Sequence, residues 1–259
     1  MIKNAIRLLT ALAMISTLLP AAGVRAQKRA SNWVELSRKD AEKILTESPW
    51  AHTQIDTDVS EMFYSPTRQG TPSAARSSAT ASGNQQSINN NRADRGAVNA
   101  AVNIKYRICF LSARPIRQAF AKMVLTSQGK SDAQLMTRLQ SFVDRDFSPY
   151  IVIAVTVEAS DQRFSGPIMQ AINSTATGTL KNSAYLERQD GKRLFLISYL
   201  PPIQDGLGAK FIFPRTESGA FFLTNKDDSV RFVAEFNDSF KLNMRFKVSD
   251  MMFDDRLEY

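Results

Sequence analysis

The chain has little of the chemistry that most enzymes use. Its 259 residues contain one cysteine, Cys109, and one histidine, His52. A single cysteine excludes an intramolecular disulfide, and it is either a buried thiol or the partner of a cysteine in another chain. One histidine and one cysteine cannot form the nitrogen and sulfur cluster of a zinc site. Any serine or cysteine mechanism would have to use His52, and no serine lies in the G-x-S-x-G motif of the α/β hydrolases.

The sequence has only one long apolar run, and it lies at the start. The run Leu8–Val24 contains Pro20, and it follows Lys3 and Arg7. About 20 unbroken apolar residues are needed to cross a bilayer, whereas a basic start, a shorter apolar centre and a small-residue exit are typical of a secretory signal. We therefore expect a signal peptide in residues 1–26, a secreted or periplasmic protein, and no transmembrane span after cleavage.

The positive charge of the chain is not concentrated in its folded part. Of the net charge of +8, three units lie in residues 1–26 and three in residues 65–98, which leaves +2 for the rest. A nucleic-acid-binding domain usually carries a dense basic face or stripe. We therefore expect no specific nucleic-acid binding.

A stretch with almost no large apolar residues divides the chain. Residues 65–98 are rich in Ser, Ala, Thr, Asn, Gln and Gly, a composition that cannot offset the conformational entropy lost on ordering. We predict a disordered linker here, between a helix-containing N-terminal segment, residues 27–64, and a globular mixed α/β domain, residues 99–259. Because a flexible chain of this length spans roughly 30–35 Å, the N-terminal segment can either pack back onto the domain or reach a partner.

The N-terminal segment contains one clear helix signal. Ser37 followed by Asp40 is a capping-box-like start. Pro49 stops the helix, because the residue before a proline is pushed out of the α conformation. Trp33 and Trp50, the only tryptophans, flank the helix, and we expect them to anchor it on a larger surface.

The globular domain begins with a strand pattern and then changes period. Val102–Phe110 alternates apolar and polar residues, which is typical of a half-buried strand. Two apolar stripes at helical spacing follow, the first opened by Pro115 and the second starting behind Ser131. Tyr150–Val157 is almost wholly apolar, as expected of a strand covered on both faces. Strand, two helices and strand favour a crossover that joins two parallel strands.

The remainder of the chain favours antiparallel strands. Asp190-Gly191 lies between two strand-like runs and is the best hairpin signal in the sequence. Apolar residues alternate in Val230–Phe236 and again in Phe240–Val248, with a turn at Asn237–Ser239 between them. The predicted fold class is α+β, with a mixed sheet containing a β-α-α-β crossover, followed by an antiparallel C-terminal meander.

Two short motifs resemble a known group of proteins. The early helix ends in Ser48-Pro49-Trp50-Ala51, and the C-terminal stretch is FKVSDMMFDDRLEY. Together they resemble an uncharacterised group of secreted bacterial proteins. The resemblance implies export. It implies no activity, because none is known for the group, and it assigns no functional residue.

One segment has part of the spacing of a calcium loop. Asp144, Asp146 and Ser148 match the alternate ligand positions at the start of such a loop. The sixth position is Pro149 instead of glycine, and the twelfth is Val155 instead of glutamate. We interpret these residues as helix-terminal caps and solvated side chains, and we expect no metal and no cofactor.

Acid pairs and a glycine-rich fragment are the other candidates for chemistry. Glycosidases use two carboxylates that face each other across a cleft, a geometry that neighbouring acids do not supply by themselves, although distant acids can converge. Gly206–Lys210 lacks the full spacing of a phosphate-binding loop, so we interpret it as a turn. The acid pairs are Asp56/Asp58, Asp227/Asp228 and Asp254/Asp255.

Three cations share one face of the last long predicted strand. Lys241, Arg245 and Lys247 alternate with apolar residues and therefore point to the outer face. They are a surface patch that can touch an anionic polymer, a lipid head group or a partner protein. Alternatively, they keep a solvent-facing strand soluble and protect its edge from aggregation.

These observations leave three functional hypotheses. The first is a non-catalytic exported protein that serves binding or assembly at the cell envelope, with an envelope protein or an anionic surface polymer as its partner. The second is a secreted hydrolase built from dispersed Asp, Glu and Ser residues that leave no local motif. The third is weak association with anionic surfaces through the basic strand face.

Overall fold

The structure, a computed structural model, describes four stretches of the chain. The signal peptide predicted for residues 1–26 and the linker predicted for residues 65–98 lie outside them. The described residues are 32–58, 102–129, 132–159 and 162–259.

Helices and strands are mixed along the described stretches. The α-helices are α1 Arg38–Thr46, α2 Arg114–Ser127, α3 Ala133–Val143, α4 Gln162–Ser174 and α5 Thr177–Leu180. The strands are β1 Ala51–Asp58, β2 Val102–Phe110, β3 Tyr150–Ala159, β4 Ala184–Arg188, β5 Arg193–Phe195, β6 Ser198–Leu200, β7 Ala209–Pro214, β8 Thr216–Glu217, β9 Ala220–Phe221, β10 Ser229–Glu235, β11 Lys241–Lys247, β12 Met252–Phe253 and β13 Arg256–Leu257. None of the helices in these stretches has the length and apolar character needed to span a bilayer.

The long strands form two sheets that pack face to face. The first sheet has the order β1-β2-β3-β7-β6, and the second has the order β11-β10-β4-β5. Aromatic side chains fill the space between them. The ring centroids of Phe211 and Phe232 are 5.1 Å apart, and those of Phe110 and Phe246 are 4.9 Å apart. The predicted α+β class and the antiparallel C-terminal strands are confirmed.

The predicted parallel crossover is wrong, because β2 and β3 pair antiparallel. Arg117, near the start of α2, donates a hydrogen bond to the carbonyl of Val143 at the end of α3, at 2.9 Å. The two helices therefore form a hairpin that returns the chain to the end of the sheet it left. A strand that starts there must run back against its neighbour, whereas a single helix would have delivered it to the opposite end. The sheet is thus not mixed: every strand pair in the described stretches is antiparallel.

Strand β3 lies at the centre of the first sheet, as its apolar run indicates. Each of the five consecutive residues Ile151–Val155 is buried. Since successive side chains of a strand point to opposite faces, both faces of β3 are covered here. The long apolar run is a consequence of this double cover.

The described part of the N-terminal segment, residues 32–58, packs back onto the domain, which is one of the two arrangements its sequence allows. Ser37 caps α1 by accepting a hydrogen bond from the Asp40 backbone N–H at 3.0 Å, and β1 pairs with β2 over its whole length. The anchoring role predicted for the two tryptophans is confirmed, because both are buried. The Trp33 indole donates to Gln140, and the Trp50 indole donates to the carbonyl of Glu258. The residues that the structure describes belong to one compact unit.

The two sheets meet at the seam between β1 and β11. The side-chain amide of Gln54 on β1 donates to the carbonyl of Lys241 at 3.0 Å and accepts from the backbone N–H of Asn243 at 2.9 Å. One side chain thus satisfies two backbone groups on the free edge of β11. This bridge closes one edge of the sandwich.

At the opposite edge the chain passes directly from one sheet to the other. Leu196 donates its backbone N–H to Ala184 in the second sheet, and the next residue, Ile197, donates to Ile212 in the first. Strands β5 and β6 are therefore edge strands of different sheets within a single short segment.

The predicted turns of the second sheet are also confirmed. Asp190-Gly191 connects β4 and β5, with Gly191 at φ +81°, a conformation in which only glycine is unstrained. The Asn237 side chain accepts backbone hydrogen bonds from Ser239 and Phe240 in the turn between β10 and β11. The registers of both hairpins are therefore fixed locally.

Candidate functional site

The three cations predicted on β11 lie on the outer face of the second sheet and are exposed, while Leu242 and Phe246 between them are buried. The Lys241 ammonium lies 3.8 Å from a carboxylate oxygen of Glu235, and the Lys247 ammonium lies 3.0 Å from Asp250. Arg245 has no carboxylate within ion-pair distance among the residues that the structure describes.

Arg245 belongs to a row of charged residues that crosses the whole second sheet. Its cross-strand neighbour on β10 is Arg231, the neighbour of Arg231 on β4 is Glu187, and the neighbour of Glu187 on β5 is Arg193. Directly opposite residues of paired strands point to the same face. We call this outer face the basic face. Its cations are Arg193, Arg231, Lys241, Arg245 and Lys247, and its carboxylates are Glu187 and Glu235.

An aromatic pair lies beside the charged row. Tyr185 on β4 and Phe195 on β5 are directly opposite each other, with ring centroids 5.8 Å apart. The Arg193 guanidinium lies over the Tyr185 ring at 4.4 Å, within the range of a cation–π contact. The basic face therefore presents flat apolar surface together with its guanidinium groups.

The basic face is open to solvent in the described part of the molecule. The side chains of Arg193 and Arg231 are 48% and 34% exposed. The helices make their main contacts with the first sheet and with each other. A ligand can therefore approach the charged row without any rearrangement of these elements.

Glu187 organises the centre of the row. Its carboxylate accepts hydrogen bonds from Arg193, at 2.6 Å, and from Arg231. These bonds, that of Arg193 first, hold the pKa of Glu187 below its ordinary value, and the same contact raises the pKa of Arg193. The carboxylate therefore stays ionised at neutral pH and holds two guanidinium groups in place.

The strand pattern of the sequence indicates the cations of β11 but not Arg193, Arg231 or Glu187, because these residues come together only through strands that are distant in sequence. A partial signal is present. Asp190-Gly191 predicts the hairpin itself. A two-residue turn there would pair Glu187 with Leu194, whereas the observed loop has three residues, 189–191, and pairs Glu187 with Arg193. The neighbour of Glu187 on the other side follows only from the sheet order.

A shallow groove of about 710 Å³ lies at the seam of β1 and β11. It contains acids and bases but neither serine nor cysteine among its described lining residues. The Arg107 guanidinium is paired with Glu158 at 2.7 Å. The groove is lined by Glu42, Thr46, Glu47, His52, Thr53, Ile55, Lys105, Arg107, Glu158, Met244 and Arg245.

His52 is the one imidazole among the described residues of this groove, and with the glutamates it is a candidate general base. Its ring is partly buried, 5.0 Å from the ring of Phe246. Desolvation lowers the pKa of His52, and the charge of Glu47 opposes that shift. The imidazole is therefore neutral at pH 7, and the only hydroxyl groups that the described lining residues offer it are those of Thr46 and Thr53.

The calcium-loop candidate has structural contacts instead. Asp144 accepts from the Arg114 guanidinium at 3.0 Å and from Gln140. Asp146 accepts from the backbone N–H of Ser148 at 2.8 Å and from its hydroxyl, and these bonds lower the pKa of Asp146. No group of three or more His, Cys, Asp or Glu side chains within the described stretches is arranged to hold a metal ion.

The acid pairs of the sequence also have local roles where they are described. Asp227 accepts from the backbone and hydroxyl of Thr224 in a turn, and it lies 3.6 Å from the Arg188 guanidinium. Asp254 and Asp255 form the β12-β13 turn with φ of +49° and +60°. Asp227, Asp254 and Asp255 therefore have structural roles in turns.

The two remaining candidates of the sequence are embedded in the fold. Cys109 lies on β2, partly buried, and desolvation raises the pKa of its thiol to about 12, so the thiol is protonated at neutral pH. Gly206–Lys210 is a turn that leads into β7, as interpreted from its spacing. Lys210 is paired there with Asp205 at 2.8 Å.

The exposed row of charged side chains on the second sheet is therefore the strongest candidate for a functional surface in the described part of the molecule. Comparison of the chain with protein-family models, with curated proteins and with solved structures finds no match.

Proposed function

We propose that this protein is a non-catalytic binding module of the cell envelope that contacts an anionic surface through its basic face. The signal-peptide pattern of residues 1–26 and the resemblance of the two terminal motifs to secreted bacterial proteins support an envelope location. The basic face supplies the recognition.

The observation that carries this proposal is the row Arg245, Arg231 and Arg193 on an open sheet face. Guanidinium groups bind carboxylates, sulfates and phosphates in bidentate geometry. The carboxylate of Glu187 already binds two of the three and so models the chemistry of the ligand. An anionic surface would contact the same row of arginines from the solvent side. Among the described residues, Arg245 is the member of the row without a carboxylate partner.

Protection of an edge explains only part of this arrangement. Lysine and arginine on β11, an edge strand, discourage pairing with other chains. Arg231, however, lies on β10, between β11 and β4. A cation on an interior strand protects no edge, so its alignment with Arg245 favours a ligand.

The hydrolase remains the alternative, and the seam groove is the place where its acids would act. The groove combines His52 with Glu47 and Glu158, although Glu158 is engaged by Arg107. A screen of the purified protein against glycan, ester and peptide substrates tests it. Turnover that is abolished by Glu47→Gln would replace our proposal with this one.

The proposal is tested by binding to immobilised dextran sulfate, a simple polyanion. We expect binding that weakens as NaCl is raised, because salt screens exposed charges. Replacing Arg193, Arg231 and Arg245 together by glutamine keeps polar side chains and removes the charges. At about 1 kcal/mol per arginine near an anionic surface, the triple variant should bind about a hundredfold more weakly.

The matched control removes the same charge elsewhere. Lys39, Lys43 and Arg138 are exposed on α1 and α3, and their triple glutamine variant should bind like the wild type. Equal losses in the two triple variants would show that net charge alone acts, and the basic face would then not be a site.

Replacing the central carboxylate should have the opposite effect. Glu187→Gln removes the one negative charge that competes with the ligand for two arginines, so dextran sulfate binding should tighten about threefold. Glu42→Gln, an equal charge change on exposed α1, is the control. Unchanged or weaker binding of Glu187→Gln would contradict a ligand that occupies the row.

A further inference from the structure

A second surface feature lies where β5 passes into β6. Four large apolar side chains are exposed within this one segment, and we call them the apolar edge. Their exposed fractions are 45% for Phe195, 48% for Ile197, 47% for Leu200 and 66% for Ile203. The alternate side chains Leu194 and Leu196 are buried, so the core of this segment is already filled and the exposed residues are additional.

The apolar edge meets the basic face at Phe195. Phe195 belongs to both, because it lies on the outer face of β5 opposite Tyr185, and Tyr185 carries the Arg193 guanidinium at 4.4 Å. Cations and exposed apolar side chains therefore adjoin at this edge of the sandwich, where Phe195 lies on the outer face of the second sheet and Leu200, opposite Lys210, on the outer face of the first. An exposed apolar cluster rimmed by polar residues is typical of an interaction site.

The chain around the apolar edge disfavours a protein strand as the partner. β6 has three residues and is followed directly by Pro201 and Pro202. Proline has no backbone N–H to donate, and β5 is equally short, so the edge offers little backbone for strand addition.

A second copy of this chain is disfavoured by charge. A two-fold interface places the same patch of each subunit against the other. Such a contact would bring Arg193 and its neighbours on the basic face close to the same cations of the partner. Like charges brought together in this way are repulsive.

We infer that the anionic surface is a phospholipid bilayer, and this inference rests on the function proposed above. The arginines bind the lipid phosphates, while the apolar edge enters the boundary between head groups and acyl chains. Neither part suffices alone, because stable membrane association usually combines buried apolar area with electrostatic attraction. Tyr185, with its apolar ring and polar hydroxyl, suits the interface between the two.

The test compares vesicles with the soluble polyanion. The wild type should sediment with vesicles of phosphatidylglycerol and phosphatidylcholine, and poorly with phosphatidylcholine alone. The double variant Ile197→Ser/Ile203→Ser should lose about tenfold in binding to the mixed vesicles and keep its binding to dextran sulfate. Ile55→Ser/Tyr150→Ser, which removes equally exposed apolar side chains elsewhere, should behave like the wild type in both assays.

A fluorescent reporter separates insertion from surface attraction. Ile203→Trp should shift its emission to shorter wavelength on mixed vesicles, and lipids with brominated acyl chains should quench it. Tyr150→Trp, also exposed, should show neither change. The native tryptophans are buried and contribute a constant background.

The outcomes distinguish this inference from the function it rests on. Dextran sulfate binding without vesicle binding would overturn the lipid assignment and leave an anionic polymer as the partner. Vesicle binding without quenching of Ile203→Trp, or with no effect of the double variant, would overturn the role of the apolar edge. If the wild type bound neither dextran sulfate nor the mixed vesicles, the proposed function itself would be overturned.

Discussion

The outer faces of the two sheets are used differently. The first sheet buries Val152 and Ala154 on the face that points away from the second sheet. On its own outward-pointing face, the second sheet carries the charged residues Arg231 and Glu187. The inner faces are alike, since both contribute aromatic rings to one core.

This difference shows how a sequence records whether a sheet face is covered. A strand with two covered faces has to be apolar throughout, as β3 is in Ile151–Val155. A strand with one open face alternates, as β11 does. In this molecule the charged side chains therefore lie on the sheet face that the helices do not cover. A ligand can bind to that open face.

The largest expected loss of stability is at Gly208, where the backbone before β7 lies close to β3. Gly208 has φ +75°, and a Cβ placed there would lie 2.1 Å from the backbone carbonyl oxygen of Val155. Gly208→Ala combines a left-handed backbone with a collision against a central strand, so the free energy of unfolding should fall by at least about 3 kcal/mol. Urea unfolding followed by circular dichroism measures it.

The second sheet supplies the control for this change. Gly191 also has positive φ, but a Cβ there would meet nothing within 4 Å. Gly191→Ala should therefore cost only the backbone term, about 1–2 kcal/mol. Similar losses in both variants would mean that the close approach at Gly208 has no energetic weight.

Two phenylalanines allow the same comparison for side chains. Phe211 is fully buried between the sheets, against Phe232 and Tyr199, and Phe211→Ala should cost about 3–5 kcal/mol. Phe195 is half exposed on the basic face, and Phe195→Ala should cost under about 1 kcal/mol. Thermal unfolding of the two variants measures both. A large loss for Phe195→Ala would show that the open face is part of the core.

The smallest expected effect is a pH dependence at the seam of the sheets. The folded state lowers the pKa of His52 below its ordinary value of 6.5, mainly by desolvation. The unfolded chain therefore binds more protons just below pH 6.5, and stability falls as the pH drops from about 6.5 towards the lowered pKa. Well above pH 6.5 the imidazole is neutral in both states and has no effect on stability.

The measurement is the change in melting temperature between pH 7.5 and pH 5.5 for the wild type and for His52→Gln. The wild type should lose more, because the variant has no imidazole to protonate. The same loss in both proteins would assign the pH dependence to other groups. A larger loss in the variant would contradict the direction of the shift.

Much of the fold follows from local patterns in the sequence. The capping signal of Ser37, the hairpin at Asp190-Gly191 and the alternation of β11 each specify a structure over a few residues, and each is confirmed. Local hydrogen bonds and the period of apolar residues decide these elements. They require no knowledge of what lies far away in the chain.

The direction of β3 and the composition of the candidate site are not local. Strand, helix, helix and strand is compatible with either direction, and contacts such as that of Arg117 with Val143 decide it. The row of arginines is assembled from β5, β10 and β11, so its members become neighbours only when the sheet order is known. The cations of β11 were visible in the sequence because they are close together along one strand.

The sequence alone determined most of the long strands and helices, the two hairpin turns of the second sheet and the alternation of buried and exposed side chains, because these depend on interactions over a few residues. The tertiary structure decided the antiparallel order of the sheets, the attachment of the N-terminal segment and the alignment of Arg193, Arg231 and Arg245. The physical reason is that strand pairing joins residues far apart in the chain, and no short pattern records which strands will be neighbours.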